Sequence, residues 1–241
     1  MPRGDNTGFA AALHPPRKAS RPQPALTMPR DLKTPPPERL MLDGPVGKLD
    51  ATFERPAEEP RAVVLHLHPH PVHGGTRQNN VVRYGALGSL EARCAALRID
   101  FRGVGRSEGE YAEGIGEIDD AAAAFAWLQQ EYPGLLVFVW GFSFGSRVGL
   151  DFSIRARAEV AGYMAVAWPT NFYAWPESTD WPERSAFLAG SEDEYVDFQK
   201  MPHAETCGGK LTVVEGAGHF FPGQLDRVRE YTAKTLQEWL G

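Results

Sequence analysis

Leu135-Leu136-Val137-Phe138-Val139-Trp140 is an unbroken apolar run that leads directly into Gly141-Phe142-Ser143-Phe144-Gly145, and this junction limits the fold more than any other stretch of the 241 residues. Six apolar residues after the turn signal Pro133-Gly134 predict an interior strand of a parallel sheet. Beyond the junction, Ser146 to Phe152 places apolar side chains at helical spacing. A strand that turns into a helix within two residues forces the residue at the apex into an unfavourable backbone conformation. Glycines on either side remove the Cβ atoms that would collide there. Ser143 then stands at a helix N-terminus, where unpaired N–H groups and the helix dipole favour developing negative charge.

The rest of the chain alternates in the same way. Strand-like runs are Leu40 to Leu42, Leu49 to Phe53, Ala62 to His68, Ala95 to Phe101, Val160 to Ala167, Ala186 to Ala189 and Leu211 to Val214. Helical patterns cover Asn80 to Cys94, the face Ile118, Ala121, Ala122, Phe125 and Leu128, and a last segment from Gln224 to Leu240. Strands that alternate with helices imply a mostly parallel sheet covered on both faces. No internal repeat is evident.

Residues 1–38 differ in kind. They hold nine of the twenty prolines and little apolar periodicity, so they are expected to form a flexible basic tail. The tail has no apolar core of a secretory signal. Met28 is a candidate start, and removal of residues 1–27 is then expected to leave activity unchanged. Ahead of Glu38 the chain carries six Lys/Arg against two Asp/Glu, which leaves 19 against 29 from there on. An acidic body argues against nucleic acid as a partner. No run approaches the roughly 18 apolar residues of a membrane span. Cys94 and Cys207 are too few for a disulfide framework and fit a reducing, cytoplasmic setting.

Gly141-Phe142-Ser143-Phe144-Gly145 in this strand and helix context resembles the nucleophile elbow of the α/β-hydrolases. Asp100-Phe101-Arg102-Gly103-Val104-Gly105-Arg106-Ser107 resembles the D-x-R-G-x-G-x-S turn after the fourth strand of that family, where its role is structural. Together with the His-Pro-His-Pro loop at 68–71 and Gly74-Gly75, these motifs look most like those of small bacterial α/β-hydrolases without a lid. The resemblance covers residues 39–241. It implies a sheet of about seven or eight strands with helices on both faces, and a serine hydrolase that needs no cofactor.

Serine hydroxyl is a poor nucleophile at neutral pH and needs a base with a third group to orient it. Carried onto this chain, the resemblance makes Ser143 the nucleophile and His219, after the last strand, the general base. Asp193 is the orienting carboxylate because G-x-x-D after a strand matches the family spacing, whereas its neighbours Glu192, Glu194 and Asp197 read as a solvated acidic loop. The oxyanion donors are then the backbone N–H groups of Phe144 and His70, since Pro69 and Pro71 have none to give. Pro69 departs from the glycine usual at that position.

A rival reading starts from His66, His68, His70 and His73, which are spaced closely enough to suggest zinc, with His203 or Cys207 completing a site. An aspartate expected of a dinuclear motif is missing, so no metal is assigned. About twenty residues separate Ala167 from Ala186, too few for a sizeable lid. That segment is rich in aromatics. Trp168 and Phe172, with Phe142 below, are expected to form an apolar wall for a small acyl or aryl group. The expected activity is hydrolysis of short-chain or small aryl esters. A peptidase or thioesterase on the same residues, or a noncatalytic binding scaffold, is the alternative. The sequence leaves the oligomeric state open.

Overall fold

The computed structural model describes residues 34–156, 159–177, 180–201, 205 and 208–241. Met28, His203 and Cys207 lie outside the described residues, as does the expected tail up to residue 33.

Among the described residues, eight strands form one sheet in the order β1-β2-β4-β3-β5-β6-β7-β8. The hairpin β1 (Glu38–Gly44) and β2 (Gly47–Glu54) is antiparallel, and β2 also runs antiparallel to β4 (Cys94–Ile99). All other neighbours are parallel: β3 (Ala62–Leu67), β4, β5 (Leu136–Phe142), β6 (Val160–Val166), β7 (Ser185–Gly190) and β8 (Gly209–Val214). Parallel neighbours need crossovers. The helices α1 (Asn80–Glu91), α2 (Gly116–Glu131) and α3 (Phe144–Arg155) supply three of them, and α4 (Leu225–Leu240) follows β8 and packs on α1. This is the mostly parallel sheet that the alternation predicts, with the number of strands that the resemblance implies.

Strand periodicity sorts the core into two layers. Val137 and Val139 of β5 face Phe125 and Leu128 of α2 and Val148 and Phe152 of α3. Phe138, Trp140 and Phe142 face the other way, toward Val81 and Val82 of α1 and Val228 and Leu236 of α4. The α1 and α4 helices approach closely at Gly88, where a Cβ would lie 2.8 Å from Thr232 Cβ. Asn79 caps α1, its side chain accepting from the Val81 N–H at 2.9 Å.

The boundary between α1 and β4 differs from the sequence expectation. The helix expected to run to Cys94 ends at Glu91, because Arg93 takes φ +59° and its carbonyl accepts from Arg61 N–H at 2.8 Å. Cys94 is then free to open β4, paired with Ala62 of β3.

The β6 to β7 connection forms no helix among its described residues. Its aromatics fold back onto the sheet: Trp168 stacks on Trp175 at 4.4 Å, and Trp175 meets Phe187 of β7 edge to face at 5.4 Å. Its described residues make no sizeable lid. No helix among the described residues is long and apolar enough to cross a membrane.

Candidate active site

Ser143 takes φ +55° and ψ −119°, a strained conformation for any residue with a Cβ. Close packing enforces it. A Cβ on Gly141 would lie 2.6 Å from Ser146 Cα, and one on Gly145 would lie 2.6 Å from the His68 carbonyl oxygen. The start of α3 therefore rests directly against the end of β3. That contact brings the His-Pro-His-Pro loop beside Ser143.

Two other loops, after β7 and after β8, meet the serine from the opposite side of β5 to β3. His219 Nε2 lies 2.9 Å from Ser143 Oγ, although 76 residues separate them. His219 Nδ1 faces Asp193, 2.8 Å from Oδ2 and 3.0 Å from Oδ1. Asp193 Oδ1 also accepts from the Tyr195 N–H at 2.9 Å. The two loops are tied to each other, since Glu192 N–H donates to the Ala217 carbonyl at 2.9 Å and Gly216 N–H to Ser191 Oγ at 2.8 Å. Asp193 and His219 are both buried, whereas Glu192 and Glu194 are exposed. Of the acidic candidates, Asp193 is the one that faces the imidazole.

Phe144 is the first residue of α3, and the first N–H groups of a helix have no partner within it. The His70 ring packs against the Phe144 ring at 4.9 Å, which sets the two backbone segments side by side. The His70 carbonyl accepts from the N–H groups of His73 and Gly75, at 3.2 and 3.0 Å. Its Nε2 lies 3.2 Å from the Tyr111 hydroxyl. Burial pushes the His70 imidazole down to about 4, with His73 adding to the shift.

The four clustered histidines go to separate partners. His66 Nε2 meets Ser89 Oγ at 3.0 Å on the α1 face. His68 uses both ring nitrogens, Nδ1 toward the Pro69 carbonyl at 2.6 Å and Nε2 accepting from Phe101 N–H at 3.1 Å. His70 and His73 lie ring against ring at 4.7 Å. Among the described residues no group of three or more His, Cys, Asp or Glu is arranged to hold a metal ion.

The expected aromatic wall is differently built. Phe142 is fully buried beneath the His219 ring, 5.2 Å away, and Trp168 is buried against Trp175, so neither presents a face to a ligand. Phe172 is half-buried and lies 5.5 Å from Tyr195. Tyr195 and Phe220 were not anticipated. Both meet the His219 ring edge to face, at 4.7 Å and 5.1 Å, and Phe220 is largely exposed. Their adjacency to Asp193 and His219 in the chain was the available signal. A separate groove of about 470 Å³ lies away from Ser143, between β8 and α4, and contains none of these residues.

The comparisons with known proteins agree with this architecture. The family described as serine aminopeptidase, S33, matches residues 58–189, from the approach to β3 through β7, which includes Ser143 but stops short of Asp193 and His219. The uncharacterized protein RP471 of Rickettsia prowazekii is 30% identical over 195 residues, 76% of this chain and 82% of that protein. XC6422 from Xanthomonas campestris, an α/β serine hydrolase without a lid, is 29% identical with a TM-score of 0.77, over 84% of this chain and 94% of that one. An α/β serine hydrolase homologue from Coxiella burnetii is 30% identical with a TM-score of 0.73, over 83% and 97%. With the matched segment spanning more than half its length and the fold shared from end to end of these relatives, the chain belongs to the serine aminopeptidase S33 family of α/β-hydrolases.

Proposed function

We propose that the protein is a serine esterase without a lid that hydrolyses short-chain or small aryl carboxylic esters through an acyl-enzyme. The observation that carries this reading is the unbroken chain of contacts Ser143 Oγ, His219 Nε2, His219 Nδ1 and Asp193 Oδ2, at 2.9 and 2.8 Å.

In this reading Ser143 Oγ attacks the ester carbonyl carbon while His219 Nε2 accepts the hydroxyl proton. Asp193 holds the tautomer with its proton on Nδ1 and stabilises the imidazolium that forms. The negative charge on the carbonyl oxygen is met by the backbone N–H groups of Phe144 and His70, and such preorganised donors are worth about 3 kcal/mol each. Collapse breaks the bond to the leaving alkoxide, which takes the proton from His219. A water molecule then repeats the sequence, giving its proton to His219 and its oxygen to the acyl carbon. The carboxylic acid leaves, and Ser143 regains its proton.

The short β6 to β7 connection supports a shallow site, as does the likeness to XC6422, described as without a lid. Phe172, Tyr195 and Phe220 offer a small apolar wall beside His219.

The test is a fluorophosphonate probe and an activated short-chain ester on the full chain. A burst of released alcohol and covalent labelling are expected, with both lost in Ser143→Ala and turnover reduced by about four orders of magnitude or more. Labelling that persists in Ser143→Ala overturns the assignment.

A further inference from the structure

The three most exposed large apolar side chains among the described residues are Ile115 at 70%, Val72 at 60% and Phe220 at 52%. Single exposed apolar residues are ordinary on any surface, but a cluster placed on one functional edge is not. These three come from different loops. Val72 belongs to the 3₁₀ turn Pro71–His73 after β3, Ile115 to the loop after β4, and Phe220 to the loop after β8.

Each loop touches a residue beside the nucleophile. His73, next to Val72, packs on His70, which packs on the Phe144 ring at 4.9 Å. Gly114, next to Ile115, sits so close to Phe144 that a Cβ there would lie 3.2 Å from its Cε2. Phe220 packs 5.1 Å from the His219 ring. The three exposed side chains thus sit on three loops that each reach the neighbourhood of Ser143, through Phe144 or His219.

Charge on the same edge narrows what they could contact. Glu110 and Glu113 stand exposed on the loop of Ile115, and Glu192 and Glu194 on the loop of Asp193. Of the basic residues near them, Arg106 is exposed on the same loop, and Arg147 is engaged with the Glu113 carbonyl at 3.1 Å and with Asp151, so the four carboxylates outnumber the cations. An anionic surface would meet net negative charge at close range, while an uncharged one would not.

We propose that Val72, Ile115 and Phe220 form an apolar docking ring by which the protein settles on an aggregated, uncharged ester and draws substrate from that surface. The proposal rests on the esterase reading for its substrate but not for the docking itself. With no lid to open, adsorption alone brings Ser143 to the interface. Binding is then governed by apolar area and is insensitive to salt.

The experiment uses the full chain, tributyrin droplets, and phosphatidylglycerol vesicles as the anionic control. The wild-type protein is expected to float with the droplets and to remain in solution with the vesicles. The variant Val72→Ser with Ile115→Ser, and Ile115→Ser alone, change side chains that pack little. The double variant should lose droplet flotation and emulsion hydrolysis by tenfold or more and keep turnover of dissolved 4-nitrophenyl acetate within twofold. Ser143→Ala should float like the wild type, so a failure of the esterase reading leaves the docking result intact. Wild-type protein that stays in solution with droplets, a double variant that floats undiminished, or preferential binding to the anionic vesicles overturns the proposal. So does capture by an apolar protein with no affinity for droplets.

Discussion

Arg77 and Asp100 form a buried ion pair that joins the loop after β3 to the end of β4. The Arg77 backbone N–H also donates to Asp100 Oδ1 at 2.7 Å, its Nε donates to Thr52 Oγ1 at 3.0 Å, and its Nη2 reaches Asp50 Oδ1 at 3.1 Å. Ser107 closes the same turn, accepting from Asp50 N–H and donating to the Asp100 carbonyl. The glycine-rich turn after β4 therefore anchors the loop that carries His70. Asp100→Ala takes one of three side-chain partners from a buried guanidinium and the acceptor from the Arg77 backbone N–H, and removing one member of such a pair costs about 3–5 kcal/mol. Urea denaturation should show that loss. Pairing Asp100→Leu with Arg77→Met should destabilise less than the sum of the single changes, and strict additivity would show that the two groups are not coupled.

Gly145 and Gly134 separate crowding from backbone preference. Gly134 has φ +85° with open space around it, so Gly134→Ala is expected to cost about 1 kcal/mol for the left-handed conformation and leave turnover unchanged. Gly145 lies in a helix, where alanine is favoured, yet its Cβ would strike the carbonyls at the end of β3. Gly145→Ala should push α3 away from β3 and displace Ser143 from the His70 loop. A misplacement of about 1 Å costs around 100-fold in rate. Ester turnover by the two variants is the comparison, and equal rates would remove the steric account.

Stability should depend on pH through buried histidines. Burial holds His68 down to about 3 and His70 to about 4, against an ordinary value of 6.5, and lowers His66 as well. Below pH 6.5 the unfolded chain takes up protons that the folded chain refuses. Stability is therefore full above pH 6.5 and falls as the pH drops toward 4, by up to about 1.4 kcal/mol per pH unit for each such histidine. Urea midpoints at pH 7, 6 and 5 should decline in that order, less steeply in His70→Gln. A flat profile over this range would contradict the burial of neutral imidazoles.

The alternation of apolar runs made the sheet and its helices legible, because interior parallel strands are apolar on both faces and Ala62 to Leu65 and Val137 to Trp140 are. Ser143, Asp193 and His219 could be picked out because each follows a strand and because the family order was recognisable. What the letters could not supply was direction. Phe142 lies on the α1 and α4 face of β5 with Phe138 and Trp140, so its ring goes beneath His219 and not toward a ligand. Trp168 turns into the core because Trp175 and Phe187 are there to receive it. Tyr111 was invisible for a different reason. It sits in a Glu- and Gly-rich loop with no periodicity, and its partner His70 is 41 residues away.

Tyr111 offers the sharpest test of how the His70 loop is held. Its loop is fixed by the fully buried Glu117, whose carboxylate accepts the N–H groups of Ala112 and Gly114, each at 2.8 Å. Burial and nearby Glu117 and Glu113 raise the Tyr111 hydroxyl to about 12, so at neutral pH it keeps its proton and shares a hydrogen bond with the neutral His70 Nε2. In the proposed mechanism the His70 backbone N–H acts on charge that exists only in the transition state. Tyr111→Phe keeps the ring against His70 and Phe144 but removes a hydrogen bond worth about 1 kcal/mol, so kcat should fall about fivefold with KM unchanged. Tyr111→Ala, which also removes the ring, should lower kcat further. If Tyr111→Phe instead raises KM and leaves kcat alone, Tyr111 is part of the wall against the substrate and the His70 loop is held by Arg77 and the prolines without it.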